Sequence, residues 1–179
     1  MLGLSGTLSG IAIFIAMVVD AISDPLVGAL SDATRSRWGR RHPYMYAAAL
    51  PFALSFYFLF VPMDGLSDTG LFLWLTAFSI LTRTFMTFYS VPHLSLGAEL
   101  SRDYDERTLL SSLRMIMQLL GMFAVLIGGP LLFFGATEQY ENGQLNPDAY
   151  PSLALAAFWV MVIGVWVSAA GTHSYIPKL

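Results

Sequence analysis

Two aspartates, Asp20 and Asp24, lie four residues apart inside an otherwise apolar run. In a helix that spacing puts both carboxylates on one face, one turn apart. Neighbouring carboxylates in a hydrocarbon setting cannot both ionise cheaply without a cation. They can share a proton, or hold a hard cation such as Na⁺ through oxygen. The plainer alternative is a pair neutralised by an arginine on another helix. Gly28 and Ser31 continue the same face, and Asp32 closes the run. A basic stretch with Arg35, Arg37, Gly39, Arg40 and Arg41 follows, ending at Pro43.

A second polar set lies further on. Arg83 sits in the middle of another apolar run, with Thr87 at plus four and Ser90 at plus seven, so all three share a face. Thr87 can give a neutral oxygen to a cation. Arg83 can be a tethered counter-ion for the aspartates, hold an anionic group of a substrate, or form a purely structural ion pair. Arg114 begins a third set, near the end of a later apolar run, with Gln118 one turn on. Either Arg114 snorkels to the interface, or it faces a polar cavity as a multiple hydrogen-bond donor that Gln118 extends.

These residues need helices to position them. The 179 residues are 56% hydrophobic and only 12% charged, with mean hydropathy +0.63. Soluble domains carry about 25% charged residues, so the composition marks an integral membrane protein whose first partner is the lipid bilayer. There is no cysteine, hence no disulfide framework or thiolate metal site. No nucleic-acid partner is expected. Five runs approach the roughly 20 apolar residues a spanning helix needs: 4–30, 44–61, 71–91, 109–134 and 153–170. The predicted fold is an all-α membrane protein with five transmembrane helices.

At about 1.5 Å per residue, Asp24 lies about 12 Å and Asp20 about 18 Å from Asp32. Both are near the middle of a hydrocarbon core about 30 Å thick. A third helix ending near Ala98 places Thr87 about 16 Å deep, level with the carboxylates. The loops carry a one-sided charge pattern. The first and third loops and the tail hold seven of the nine Lys and Arg residues, whereas the second and fourth hold none. By the positive-inside rule the basic loops and the C-terminus are cytoplasmic and the N-terminus is outside. The first run lacks a basic flank and a cleavage signature, so it reads as a retained helix. An outside N-terminus without a signal peptide suggests a further helix ahead of the first, and the chain reads as an incomplete half of a transporter. Small residues at Gly121, Ala124 and Gly128, and at Gly164, Ser168 and Gly171, have the spacing of close helix contacts. Asp103 and Glu106 have the character of N-terminal helix charges.

The run Gly28-Ala-Leu-Ser-Asp32, followed by Gly39-Arg40-Arg41, resembles the loop motif of the major facilitator superfamily, with an insertion. The stretches Asp20-Ala-Ile-Ser-Asp24-Pro25, Thr34-Arg-Ser-Arg-Trp-Gly39, Val91-Pro92-His93-Leu-Ser-Leu-Gly-Ala-Glu99 and Asp103-Tyr-Asp-Glu106-Arg107-Thr108 are similar to one branch. That branch is the glycoside–pentoside–hexuronide:cation symporters, which include melibiose permease. Nearly the whole chain is covered, as helices two to six of a twelve-helix fold. The resemblance implies the incomplete N-terminal half of such a transporter, without its first helix and C-terminal half. It implies symport of a small molecule, a sugar or glycoside, with Na⁺ or H⁺ as coupling ion and no other cofactor. Asp20 and Asp24 match the cation-site carboxylates, which hold Na⁺ if coupling is to sodium, and Thr87 matches a threonine ligand. Ser23 stands where melibiose permease has an asparagine, and Arg114 matches a sugar-contacting arginine. There are departures. Ser90 replaces a sugar-binding aspartate and Leu94 a tryptophan, which argues against the same galactoside specificity. Arg83 has no charged counterpart and would suit a uronide carboxylate.

The expected function is cation-coupled uptake of a sugar or glycoside through a cytoplasmic or inner membrane, by alternating access. The loop residues Gly28, Asp32, Arg35, Arg37, Gly39, Arg40 and Arg41 would act as a gate at a helix end. The alternatives are transport of another amphiphile, such as a lysolipid or drug, and a truncated protein that transports nothing. An enzyme is not expected, because an intramembrane aspartate dyad should come from two helices and this pair shares one.

Overall fold

The computed structural model describes residues 4–100 and 103–175. Arg102 and Lys178, two cations of the loop count, lie outside them. Five long helices make up the described chain: α1 (Gly6–Ala33), α2 (His42–Phe60), α3 (Asp68–Glu99), α4 (Tyr104–Phe133) and α5 (Tyr150–His173). Each is long and apolar enough to cross a bilayer. Two short 3-10 turns, Gly143–Leu145 and Pro147–Ala149, lead into α5.

Several helices outrun the apolar segments that mark them. α3 continues past the apolar run 71–91 to Glu99, one residue beyond the end near Ala98 used for the depth of Thr87. α4 starts at Tyr104 rather than at residue 109, and α5 runs from residue 150 to 173. The reason is physical: hydropathy marks the part of a helix that needs hydrocarbon, while polar caps let the same helix continue into the interface. Asp103 caps α4 by accepting from the backbone N–H groups of Asp105 at 2.9 Å and Glu106 at 3.1 Å. Ser67 caps α3 through the N–H of Gly70. Pro25, Pro51, Pro92 and Pro130 lie within helices that continue through them, as membrane helices allow.

The helices do not pack equally. α3 lies against both α1 and α2, and α2 also packs on α5. The contact surfaces are built from alanine: Ala12 and Ala16 of α1, Ala48, Ala49 and Ala53 of α2, and Ala154 and Ala169 of α5 are all buried. Small side chains let backbones approach, which is how membrane helices gain dispersion contact. Three glycines of the expected small-residue rows do not share this role among the described residues. Gly121, Gly164 and Gly171 are exposed, with no atoms near where a Cβ would stand. Spacing alone identifies a smooth face but not what covers it. α4 is the least packed helix, with Gly129 its one buried residue.

Between α1 and α2 the chain reverses in a tight turn. The Ser36 hydroxyl donates to the Gly39 carbonyl at 2.8 Å and accepts from the N–H of Trp38 at 3.1 Å. Gly39 has φ +77°, in the left-handed region. A Cβ there costs about 1–2 kcal/mol, so Gly39→Ala is expected to lower the detergent melting temperature while Ser36→Ala does so less. Gly28 is different: a Cβ there would meet only Val91 Cγ1, at the ordinary distance of 3.8 Å.

Candidate functional site

α1 and α3 bring four of the polar membrane residues into one cluster. Arg83 donates from Nε at 3.1 Å and from Nη2 at 2.7 Å, both to Oδ2 of Asp20. Thr87 Oγ1 lies 2.8 Å from Asp24 Oδ1 and 3.3 Å from Asp20 Oδ1. Thr87 itself is buried. The Asp20 side chain is 18% exposed and that of Arg83 38%, while Asp24 is more open still. The plus-four spacings in both helices create this: Asp20 and Asp24 on α1 face Arg83 and Thr87 on α3 turn for turn. The depth arithmetic from the helix ends placed the same residues level with one another.

The donor and acceptor count limits what the cluster can be. A hydroxyl has one hydrogen, and here it faces two carboxylate oxygens. Asp20 Oδ1, Asp24 Oδ1 and Thr87 Oγ1 are three oxygens gathered together, a hard-ligand set of the kind that suits Na⁺ or a shared proton. Among the described residues no group of three or more His, Cys, Asp or Glu side chains is arranged to hold a metal ion. A cation bound at this cluster would meet the Thr87 hydroxyl as a third oxygen beside the two acids.

The other expected residues are placed separately. Ser23 donates to the backbone carbonyl of Asp20 at 3.1 Å, which leaves its lone pairs unused by that bond. Ser90 is half-buried on α3 and makes no hydrogen bond to the cluster. Arg114 and Gln118 lie on exposed α4 and make no bond to Asp20, Asp24, Arg83 or Thr87. An apolar cavity of about 380 Å³ lies between Thr34, Tyr44, Phe85 and Phe88. None of the four cluster residues lines it, so shape and chemistry point to different places, and the charged groups carry more weight.

The basic loop forms a second charge centre. Arg41, 8% exposed, places Nη2 2.7 Å from Glu99 Oε1 and 3.2 Å from Asp32 Oδ1. Arg40 reaches Glu99 at 3.5 Å. Arg35 and Arg37 stay exposed. Arg41 thus ties the end of α1 to the end of α3. The spacing of the loop motif did not identify Glu99 as its partner; the signal was a carboxylate closing an apolar helix.

A third polar array also escaped sequence reasoning. His42 Nε2 lies 3.1 Å from Thr172 Oγ1, Tyr46 OH 3.4 Å from His173 Nδ1, and His93 Nδ1 3.2 Å from Ser168 Oγ. These bonds pin α2 and α3 to α5. Histidines within apolar helices were the available signal.

Comparison with known proteins agrees with this architecture. A family model described as MFS/sugar transport protein matches residues 1–178. An uncharacterized symporter of Synechocystis sp. is 39% identical over 136 residues, covering 73% of this chain and 23% of the relative. The isoprimeverose transporter of Lactiplantibacillus pentosus is 30% identical over 163 residues, 89% of this chain and 34% of its own length. The sodium-dependent lysophosphatidylcholine symporter 1 of Gallus gallus is 32% identical over 149 residues, 82% and 28% respectively. The chain spans roughly a quarter to a third of the curated relatives it matches.

Proposed function

The chain belongs to the MFS/sugar transport protein family, and on that premise we propose that it forms part of the N-terminal half of a cation-coupled symporter for a sugar or glycoside. The observation that carries this reading is the joint cluster of Asp20, Asp24 and Thr87, with their oxygens within 2.8–3.3 Å across two helices. Relatives named as symporters support the transport class. In this reading Asp20, Asp24 and Thr87 hold the coupling cation, Na⁺ or H⁺. Ser23 keeps the backbone of Asp20 in place. Arg114 and Gln118 belong to the substrate side, supplied from α4, which the cation site does not lock, and Ser90 joins them from α3. The Asp32–Arg41–Glu99 bridge is a gate contact, since it joins two helix ends through one nearly buried guanidinium. It lies on the cytoplasmic side of a cytoplasmic or inner membrane, where the positive-inside rule places the arginines.

The cation site is a shared surface of two helices, so its geometry depends on how they lie together. A change of helix angle would alter the oxygen spacing and hence cation affinity, which is the property coupling requires. A second reading has its own support. The similarity to a lysophosphatidylcholine symporter favours an amphiphilic lipid substrate on the same cation chemistry. The test is uptake into proteoliposomes by the full-length protein. Radiolabelled pentosides, hexosides, uronides and lysophospholipids are offered with an inward Na⁺ gradient, an inward H⁺ gradient, or neither. Gradient-dependent accumulation of a glycoside is expected. Accumulation of a lysophospholipid alone selects the second reading, and no accumulation under any gradient rejects both.

A further inference from the structure

We propose that His42 and His173 form a proton-operated latch, which fastens the end of α5 to α2 while both imidazoles are neutral and releases it when they are protonated. The latch stands on packing alone, and only its effect on uptake rests on the transport reading above.

α5 is held at its two ends by different chemistry. At its start Tyr150 stacks on Phe60 of α2, with ring centres 6.2 Å apart and planes 5° from parallel. At its other end the contacts are polar. His42 Nε2 lies 3.1 Å from Thr172 Oγ1. The His42 and His173 rings meet edge to face at 5.6 Å, and Tyr46 OH lies 3.4 Å from His173 Nδ1. His42 is 1% exposed, so residues beyond this chain can only bury it further.

Hydrogen counting fixes the resting state. The single hydrogen of Thr172 goes to its own helix, where the carbonyls of Ser168 and Ala169 lie at 3.1 and 3.2 Å. Thr172 therefore accepts from His42, whose Nε2 carries the hydrogen. A neutral His173 accepts from Tyr46 at Nδ1. A proton added to His173 Nδ1 takes that lone pair, and one added to His42 puts a charge where water does not reach. Two charged rings at this distance also repel.

The surrounding groups do not offset these costs. From α5 the pair meets the Thr172 hydroxyl, from α2 the Tyr46 ring, and from the loop Trp38, edge-on to Tyr46 at 5.9 Å. Arg41, next to His42 in sequence, is committed to Asp32 and Glu99. α3 contributes Leu96, packed with Met45 and Ala169, and its His93 turns to Ser168 and to the Arg114 charge of α4. None of these is an acid free to hold an imidazolium. Protonation thus frees the end of α5 while the stack on Phe60 holds its start. The freed end lies beside the basic loop, the cytoplasmic side by the positive-inside rule. The latch therefore senses cytoplasmic acid and loosens α2 next to the Arg41 bridge.

The experiment uses the full-length protein and its His42→Gln, His173→Gln and double variants. Glutamine keeps donor and acceptor atoms but takes up no proton. Hydrogen exchange of residues 166–173, corrected for its intrinsic pH dependence, is read at about pH 7.5 and about pH 5.5, either side of the ordinary imidazole value of about 6.5. Wild-type protection is expected to fall about tenfold at the lower pH, while the double variant stays level. Unchanged wild-type protection, or a fall that the double variant shares, overturns the latch. If the double variant does not fold, the single variants decide, each being expected to lessen the fall. Uptake into proteoliposomes is then measured with the cytoplasmic face at the same two pH values. Wild type is expected to slow more than the double variant at the lower pH. A latch that opens with both proteins slowed equally overturns its regulatory role. No uptake by either protein, with the latch opening as expected, removes the transport reading and leaves the latch standing.

Discussion

Asp24→Asn in the full-length protein is expected to weaken the coupling cation about 30-fold, roughly 2 kcal/mol for loss of one charge beside a partly solvated ion, and to abolish gradient-driven accumulation. The reasoning is local. Asp24 contributes one of three gathered oxygens, through the 2.8 Å contact with Thr87. Asparagine keeps the shape and an acceptor oxygen but removes the charge. With Arg83 still paired to Asp20, the cluster becomes neutral and has no electrostatic need for a cation. Asp24 is exposed and makes no ion pair among the described residues, so the fold should tolerate the change. Asp20→Asn should also impair coupling, but it leaves Arg83 without its anion and so lowers the melting temperature as well. The check is substrate uptake against cation concentration, alongside thermal stability of both variants. Undiminished, cation-dependent uptake by Asp24→Asn would show that the carboxylates are not the coupling site.

The second large effect concerns stability. Glu99→Gln should destabilise the helix bundle by about 2 kcal/mol, below the 3–5 kcal/mol typical of breaking a fully buried pair because Glu99 retains solvent contact. Arg41 is the vulnerable partner. Its side chain is 9% exposed, its Nε and Nη1 are buried without a hydrogen-bond partner among the described residues, and Nη2 contacts both carboxylates. Removing the closer acid leaves a nearly buried charge with only Asp32, whose side chain is 62% exposed. Arg41→Met in the same background should recover part of the loss, since the uncompensated charge goes with it. A double-mutant cycle on melting in detergent measures the coupling directly. Simple additivity would mean that the bridge contributes nothing beyond its separate residues.

The residue-level site was partly legible in advance, and the division follows a pattern. Facing residues within one helix could be read, because the plus-four spacing of Asp20 and Asp24, or of Arg83 and Thr87, is set by backbone geometry alone. Their common level could be estimated from rise per residue. What could not be read was rotation about each axis. The resting partner of Arg83 was open among the aspartates and a substrate, and the pairing of its Nε and Nη2 with one oxygen of Asp20 depends on how α1 and α3 turn towards each other. The same applies to Glu99, which closes α3 far from Arg41 in sequence but meets it at 2.7 Å.

α4 makes the contrast plain. Its length and apolar character followed from composition, and Asp103 announced its start. Whether Arg114 and Gln118 join the polar centre did not follow, and the structure leaves both on an exposed helix apart from it. The sequence by itself determined a membrane protein of five long helices, an acidic pair on one face and a basic loop beside it, because hydrophobic length, helical period and charge position are local properties. Tertiary structure alone decided which acid takes Arg83, which acid anchors Arg41 and which small residues bring helices together. Those outcomes depend on the mutual rotation and sliding of helices, which arise from packing summed over many side chains and from no single stretch of chain.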